Sequence, residues 1–170
     1  MTRPPPRRMR LALRLSAKDQ PRTQGKGTTK AWGKVRRGTR PPPLQVDPRD
    51  ARALVFVPGM VATGERGLIE VTLLEATPPP PLKGQSQWSL LVRPIDGTRP
   101  EGARVTVVPR MPDHGHGSGT TVVVTSGPQS GQYQAAPVNL FMPGYWLTTV
   151  NVELADGRTD QARFGFVIGG

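Results

Sequence analysis

Two alternating runs joined by Asp156-Gly157 constrain this chain more than any other feature. Over Tyr145–Leu154, Trp146, Thr148, Val150, Val152 and Leu154 share one parity, while Tyr145, Leu147, Thr149, Asn151 and Glu153 share the other. Period-two alternation of this kind buries one side of a strand and leaves the other in water. After Asp156-Gly157 the pattern resumes with Ala162, Phe164, Phe166 and Ile168. An Asp-Gly pair between two such runs is a tight-turn signal, so strands at about 145–154 and 160–168 are predicted to form an antiparallel hairpin.

The same period recurs upstream. Gly67–Ala76 places Ile69, Val71 and Leu73 on one face, Gln87–Ile95 places Trp88, Leu90 and Val92 inward, and Ala103–Val108 does so with Val105 and Val107. Thr120–Thr125 is a β-branched strand, and Tyr133 falls in a short one after the Ser126-Gly127-Pro128 loop. Pro78 to Pro81 cannot donate ladder hydrogen bonds and must form a connection or an edge. Asp96-Gly97 marks a turn. Ala53–Ala62 reads either as an edge strand or as the end of a signal segment. Twenty prolines and twenty glycines weigh against helices, and none is predicted. The result is an all-β, immunoglobulin-like antiparallel sandwich of about seven strands over residues 64–170, large enough for one core.

The formal charge of +11 suggests a polyanion partner until it is divided along the chain. Residues 1–52 hold 15 Lys/Arg against 3 Asp/Glu, whereas residues 53–170 hold 8 against 9. The basicity therefore belongs to a Pro- and Arg-rich segment, 1–52, which lacks the apolar surface needed to offset ordering and is predicted to be a disordered tail. Trp32 is its only aromatic ring, where a single-strand binding surface wants several stacking platforms, so nucleic-acid binding through the tail ranks third among the functions considered.

With no cysteine there is no disulfide and no thiolate metal site. No apolar run reaches the roughly 18 residues that span a membrane, and Leu11–Leu15, broken by Arg14, is too short for a secretory signal. Enzyme constellations are missing: there is no Gly-x-Ser-x-Gly turn, no phosphate loop and no evident carboxylate pair. An enzyme is not expected.

The distinctive spacing lies between residues 111 and 146. Met111-Pro112-Asp113-His114-Gly115-His116-Gly117 holds both histidines of the chain. Gly131-Gln132-Tyr133, then Asn139-Leu140-Phe141-Met142-Pro143-Gly144-Tyr145-Trp146, and finally Ala162-Arg163-Phe164-Gly165-Phe166 follow. Over roughly residues 66 to 168 this series resembles the YtkA-like family, small extracytoplasmic β-sandwich domains related in pattern to the FixH group. The resemblance implies a sandwich fold and a place in the cell envelope or periplasm, although no export signal is read in the chain. It implies a binding or accessory module more than any one activity.

Met111, His114 and His116, with Asp113 and Met142 as further candidates, form the one donor group worth weighing. Glycine beside each histidine lets the loop bring the imidazoles together. Thioether with imidazole is a copper-leaning set, and carboxylate with imidazole would also accept zinc. Against this stands a structural reading, in which Met111 plugs the end of the core and a histidine holds the loop through a backbone carbonyl. The leading expectation is thus a non-enzymatic envelope binding or accessory module with an unidentified protein partner, with copper handling through the Met111–His116 loop as an option and the structural role of that loop ranked ahead of it. The alternative is a purely structural or protein-interaction sandwich without a ligand.

Overall fold

The computed structural model describes residues 40–80 and 82–170. The order is β1 (Met60–Thr63), β2 (Ile69–Thr77), β3 (Gly84–Pro94), β4 (Arg104–Met111), β5 (His116–Gly117), β6 (Val123–Ser126), β7 (Gln132–Leu140), β8 (Gly144–Glu153) and β9 (Thr159–Ile168). They form a five-stranded sheet, β1-β2-β3-β7-β6, and a four-stranded sheet, β5-β4-β8-β9, with antiparallel pairing throughout. The fold is therefore the all-β sandwich expected, with nine strands where about seven were predicted. The additions are β1, which overlaps only the last three residues of the edge-strand option at 53–62, and the two-residue β5. Among the described residues the one helical element is a 3-10 turn at Pro112–His114.

The alternation carries through to burial. Ile69, Val71, Leu73, Trp88, Leu90, Val92, Val105, Val107, Trp146, Val150, Val152, Phe164, Phe166 and Ile168 all lie in one buried cluster between the sheets. Trp88 stands across that cluster, edge-on to Phe164 at 6.3 Å and to Phe166 at 5.9 Å between ring centroids. Such aromatic pairs add to the area they bury. The Asp156-Gly157 hairpin is present, with β8 and β9 paired from Gly144 opposite Ile168 to Glu153 opposite Thr159.

Strand β7 runs much further than the short strand predicted around Tyr133. Pro137 argues against a central strand, because it brings no N–H to the ladder. The chain accommodates it at an irregularity: Ser86 of β3 faces Val138 and Trp88 faces Ala135, so an extra β7 residue is accommodated where Pro137 lies.

Of the segment predicted as a disordered tail, 1–52, residues 40–52 are described. Residues 1–39 lie outside the described residues, and with them the proposed phosphate-binding surface. From residue 45 onward the chain forms a strap along β9. Val46 bridges Leu54, Val55 N–H donates to Gln45 O, and Leu54 N–H donates to Gly165 O at 2.8 Å. Ala53 is fully buried and Asp47 nearly so. Polar sequence concealed this, because the strap docks through its main chain and a few arginines instead of an apolar stripe.

Candidate functional site

The candidate loop is a tight reversal at the end of β4. Pro112 opens the 3-10 turn, where its fixed φ fits and its missing N–H is not needed. Gly115 closes the turn at φ 69°, in the left-handed region that favours glycine, and its N–H donates to Pro112 O. β5 then folds back on β4, with Met111 opposite His116 and Arg110 opposite Gly117. A Cβ at Gly117 would stand 3.2 Å from Pro109 O. The two glycines of the His-Gly-His-Gly run thus serve different needs, conformation at the first and space at the second.

Cross-strand partners share a face, so His116 lies on the same side of the sheet as Met111, toward the sandwich interior. Met111 is fully buried within the core cluster. His116 is half-buried, stacked on Phe141 at 6.0 Å and edge-on to Trp146 at 6.4 Å. His114 is exposed, with its ring centroid 5.8 Å from that of His116 and the planes inclined by 53°. The Nδ1 of His116 lies 2.9 Å from Gly117 O.

The second Met-Pro segment supplies the floor. Leu140 ends β7 in the core, Phe141 turns out against His116, and the Trp146 indole N–H donates to Met142 O at 2.9 Å. At Gly144, φ 122°, an added Cβ would come within 2.9 Å of the Met111 methyl. The glycine is the space into which Met111 fits, so the two Met-Pro turns meet at one end of the sandwich.

Of the five predicted donors, the structure brings His114 and His116 together, with Met111 beneath and Met142 half-buried on the adjoining turn. Asp113 is directed elsewhere. Both its oxygens accept from Arg52, at 2.8 Å each, and that hydrogen bonding holds its carboxyl below the usual carboxylate range. Among the described residues no group of three or more His, Cys, Asp or Glu side chains could share a metal ion. No helix there is long and apolar enough to cross a membrane.

Three neighbours of the loop escaped the sequence reading. Arg52, assigned to the tail, holds Asp113 and lies 4.3 Å over the Tyr145 ring. Tyr145 sits on the parity assigned to solvent, yet it is buried, and its hydroxyl donates to Arg52 O. Phe141 is the third. A signal did exist for Tyr145: its outward-facing ring stands near Gly165, where a Cβ would come within 2.6 Å of the tyrosine oxygen. An aromatic beside a glycine on a solvent face indicates that something covers both.

Residues 68–151 match the family model described as YtkA-like. No curated protein and no solved structure matches the chain.

Proposed function

With residues 68–151 making the chain a member of the YtkA-like family, we propose that it is a non-enzymatic accessory domain of the cell envelope that takes a copper ion at His114 and His116. The observation that carries this reading is the contact between His116 Nδ1 and Gly117 O. A carbonyl can only accept, so in the neutral ring Nδ1 bears the proton and Nε2 keeps its lone pair. Metal-binding histidines are oriented in this way, the second nitrogen donating to a carbonyl or carboxylate. The His114 ring at 5.8 Å is near enough for one ion to be shared at about 2 Å from each nitrogen. Phe141 and Trp146 pack against the His116 ring.

Imidazole is a ligand for which copper stands highest among the common divalent ions. Bound there, the ion would supply a site for ligand exchange. Two imidazoles leave its sphere incomplete, which suits a domain that accepts an ion and passes it to a partner. Asp113 is excluded from the donor set by Arg52, and Met111 supports the pair from the core.

The test is a titration of the full chain with Cu(I), Cu(II) and Zn(II), repeated on His114→Ala, His116→Ala and Met111→Leu. Each histidine variant should lose copper affinity by roughly tenfold or more, of the order seen when a site's supporting groups are removed. Met111→Leu should keep it, at a stability cost below about 1.5 kcal/mol for a volume-conserving swap. Affinity should also weaken in acid, because protons compete for the same lone pairs. Copper binding no tighter than that of a variant lacking both histidines would refute the reading.

A further inference from the structure

Unpaired strand edges are templates for another strand, and folded proteins usually block them. Most of the edges here are blocked. The outer edge of β9 is covered by main-chain bonds from Leu54 to Gly165 O and from Glu65 to Gln161 O, and by Arg49 on Val167 O. β1 is only four residues long and leads directly into Glu65, the residue that ties this corner to β9. β5 covers β4 at Arg110 and Met111, and the open length of β4 carries Arg104 and Pro109, a charge and a residue without an N–H.

β6 is treated differently. With its approach it reads Thr120-Thr121-Val122-Val123-Val124-Thr125-Ser126, without charge, proline or glycine. Among the described residues, the ladder to β7 supplies the only hydrogen bonds reaching the main chain of residues 121–126. Val123 is 60% exposed, more than any other large apolar side chain described.

The segment is also symmetric. Thr121-Val122-Val123-Val124-Thr125 reads the same in both directions, and Thr120 and Ser126 extend the match with a hydroxyl at each end. Laid antiparallel on a second copy about Val123, it sets Val123 against Val123, Val122 against Val124 and Thr121 against Thr125. Uncharged β-branched pairs of this kind stabilise neighbouring strands. The faces agree as well. Residues 121, 123 and 125 are exposed, whereas Val122 and Val124 are half-buried against the core. In such a pair Val122 and Val124 of each copy would continue the other's core layer. A closed two-fold dimer requires a self-complementary patch, which a heterologous partner would not.

We propose that the protein self-associates through β6, the edges of two copies pairing antiparallel about Val123 to join two five-stranded sheets into one.

The chain has no cysteine, so single thiols report the register directly. Val123→Cys places two thiols opposite each other across the two-fold and should yield a disulfide-linked dimer under mild oxidation. Thr121→Cys, which faces residue 125 and not itself, should not, whereas a mixture of Thr121→Cys with Thr125→Cys should cross-link. In sedimentation over a wide concentration range the unmodified chain should dimerise reversibly. Val123→Lys and Val123→Glu should each be monomeric, and an equimolar mixture should recover the dimer, which a misfolded variant could not do. Val108→Lys, an exposed position on the other sheet, should dimerise normally. The proposal fails if the unmodified chain is monomeric throughout, if Val123→Lys dimerises undiminished, or if the charge mixture stays monomeric. Equal cross-linking of Val123→Cys and Thr121→Cys would also refute it, by showing association without register.

Discussion

Arg52 and Asp113, 61 positions apart in the chain, form a two-pronged ion pair with both nitrogen–oxygen distances at 2.8 Å. The same guanidinium lies over Tyr145, whose hydroxyl donates to the Arg52 carbonyl. The strap before β1 is thereby fastened to the turn that presents His114 and His116.

Arg52→Ala should release both partners. Amide hydrogen exchange should rise in residues 50–56 and 113–117 together, while β2 and β3 stay protected. Because pairing with Arg52 lowers the Asp113 pKa, its contribution is present above the unfolded carboxylate range and is lost as pH falls through the folded value. The wild-type strap should therefore exchange like that of the variant in strong acid. Unchanged exchange at 113–117 in Arg52→Ala would show that the loop holds its shape alone.

Trp146 is fully buried and forms the floor beneath His116. Trp146→Ala should cost about 3–5 kcal/mol in denaturant unfolding, as large aromatic truncations do. A loss below about 1 kcal/mol would mean that this end of the sandwich collapses around the missing ring.

Asp160 joins the two sheets at the opposite end. It is nearly buried, and its oxygens accept the backbone N–H groups of Arg66, Leu68 and Gln161 at 2.8–2.9 Å. Burial raises its pKa, and these backbone donors outweigh it, so the net shift is downward. The linked stability is present above the unfolded carboxylate pKa of about 3.9 and is lost as pH falls through the lower folded value. Asp160→Ala should cost about 2 kcal/mol at neutral pH, the scale of hydrogen bonds to a charged group, and the deficit should narrow in acid. A deficit independent of pH would assign the loss to packing.

Thr148 lies on the inward face of β8, fully buried, with its hydroxyl unpartnered. Thr148→Val removes the hydroxyl and keeps the branched shape. Relief of an unsatisfied buried group should raise stability by about 1 kcal/mol. A loss would indicate that the hydroxyl has a partner, such as an ordered water.

The alternation placed Trp88, Trp146, Phe164 and Phe166 on the buried side, since burial of one strand face is a local rule and each strand carries it whole. The fit of Met111 into the core was one of two readings, drawn from methionine's use as a gap-filler and not from alternation, because the predicted strand stopped at Val108. What escaped depends on pairs distant in sequence. Nothing near Arg52 marks it as the partner of Asp113, and Tyr145 is buried only because a segment some ninety residues earlier covers it. The length of β7 was hidden by Pro137, a residue that is read as a stop unless the extra residue opposite β3 is known.

The family-model match ends at residue 151, inside β8, and leaves out β9, short of the residue 168 to which the resemblance was read. Yet β9 supplies the Phe164 and Phe166 rings that close on Trp88, and the strap completes its outer edge. A fragment cut to residues 68–151 should therefore expose an indole and an unpaired β8 edge, and precipitate on expression. A fragment from Gln45 to Ile168 retains the closing contacts and should remain monodisperse in gel filtration and resist limited proteolysis.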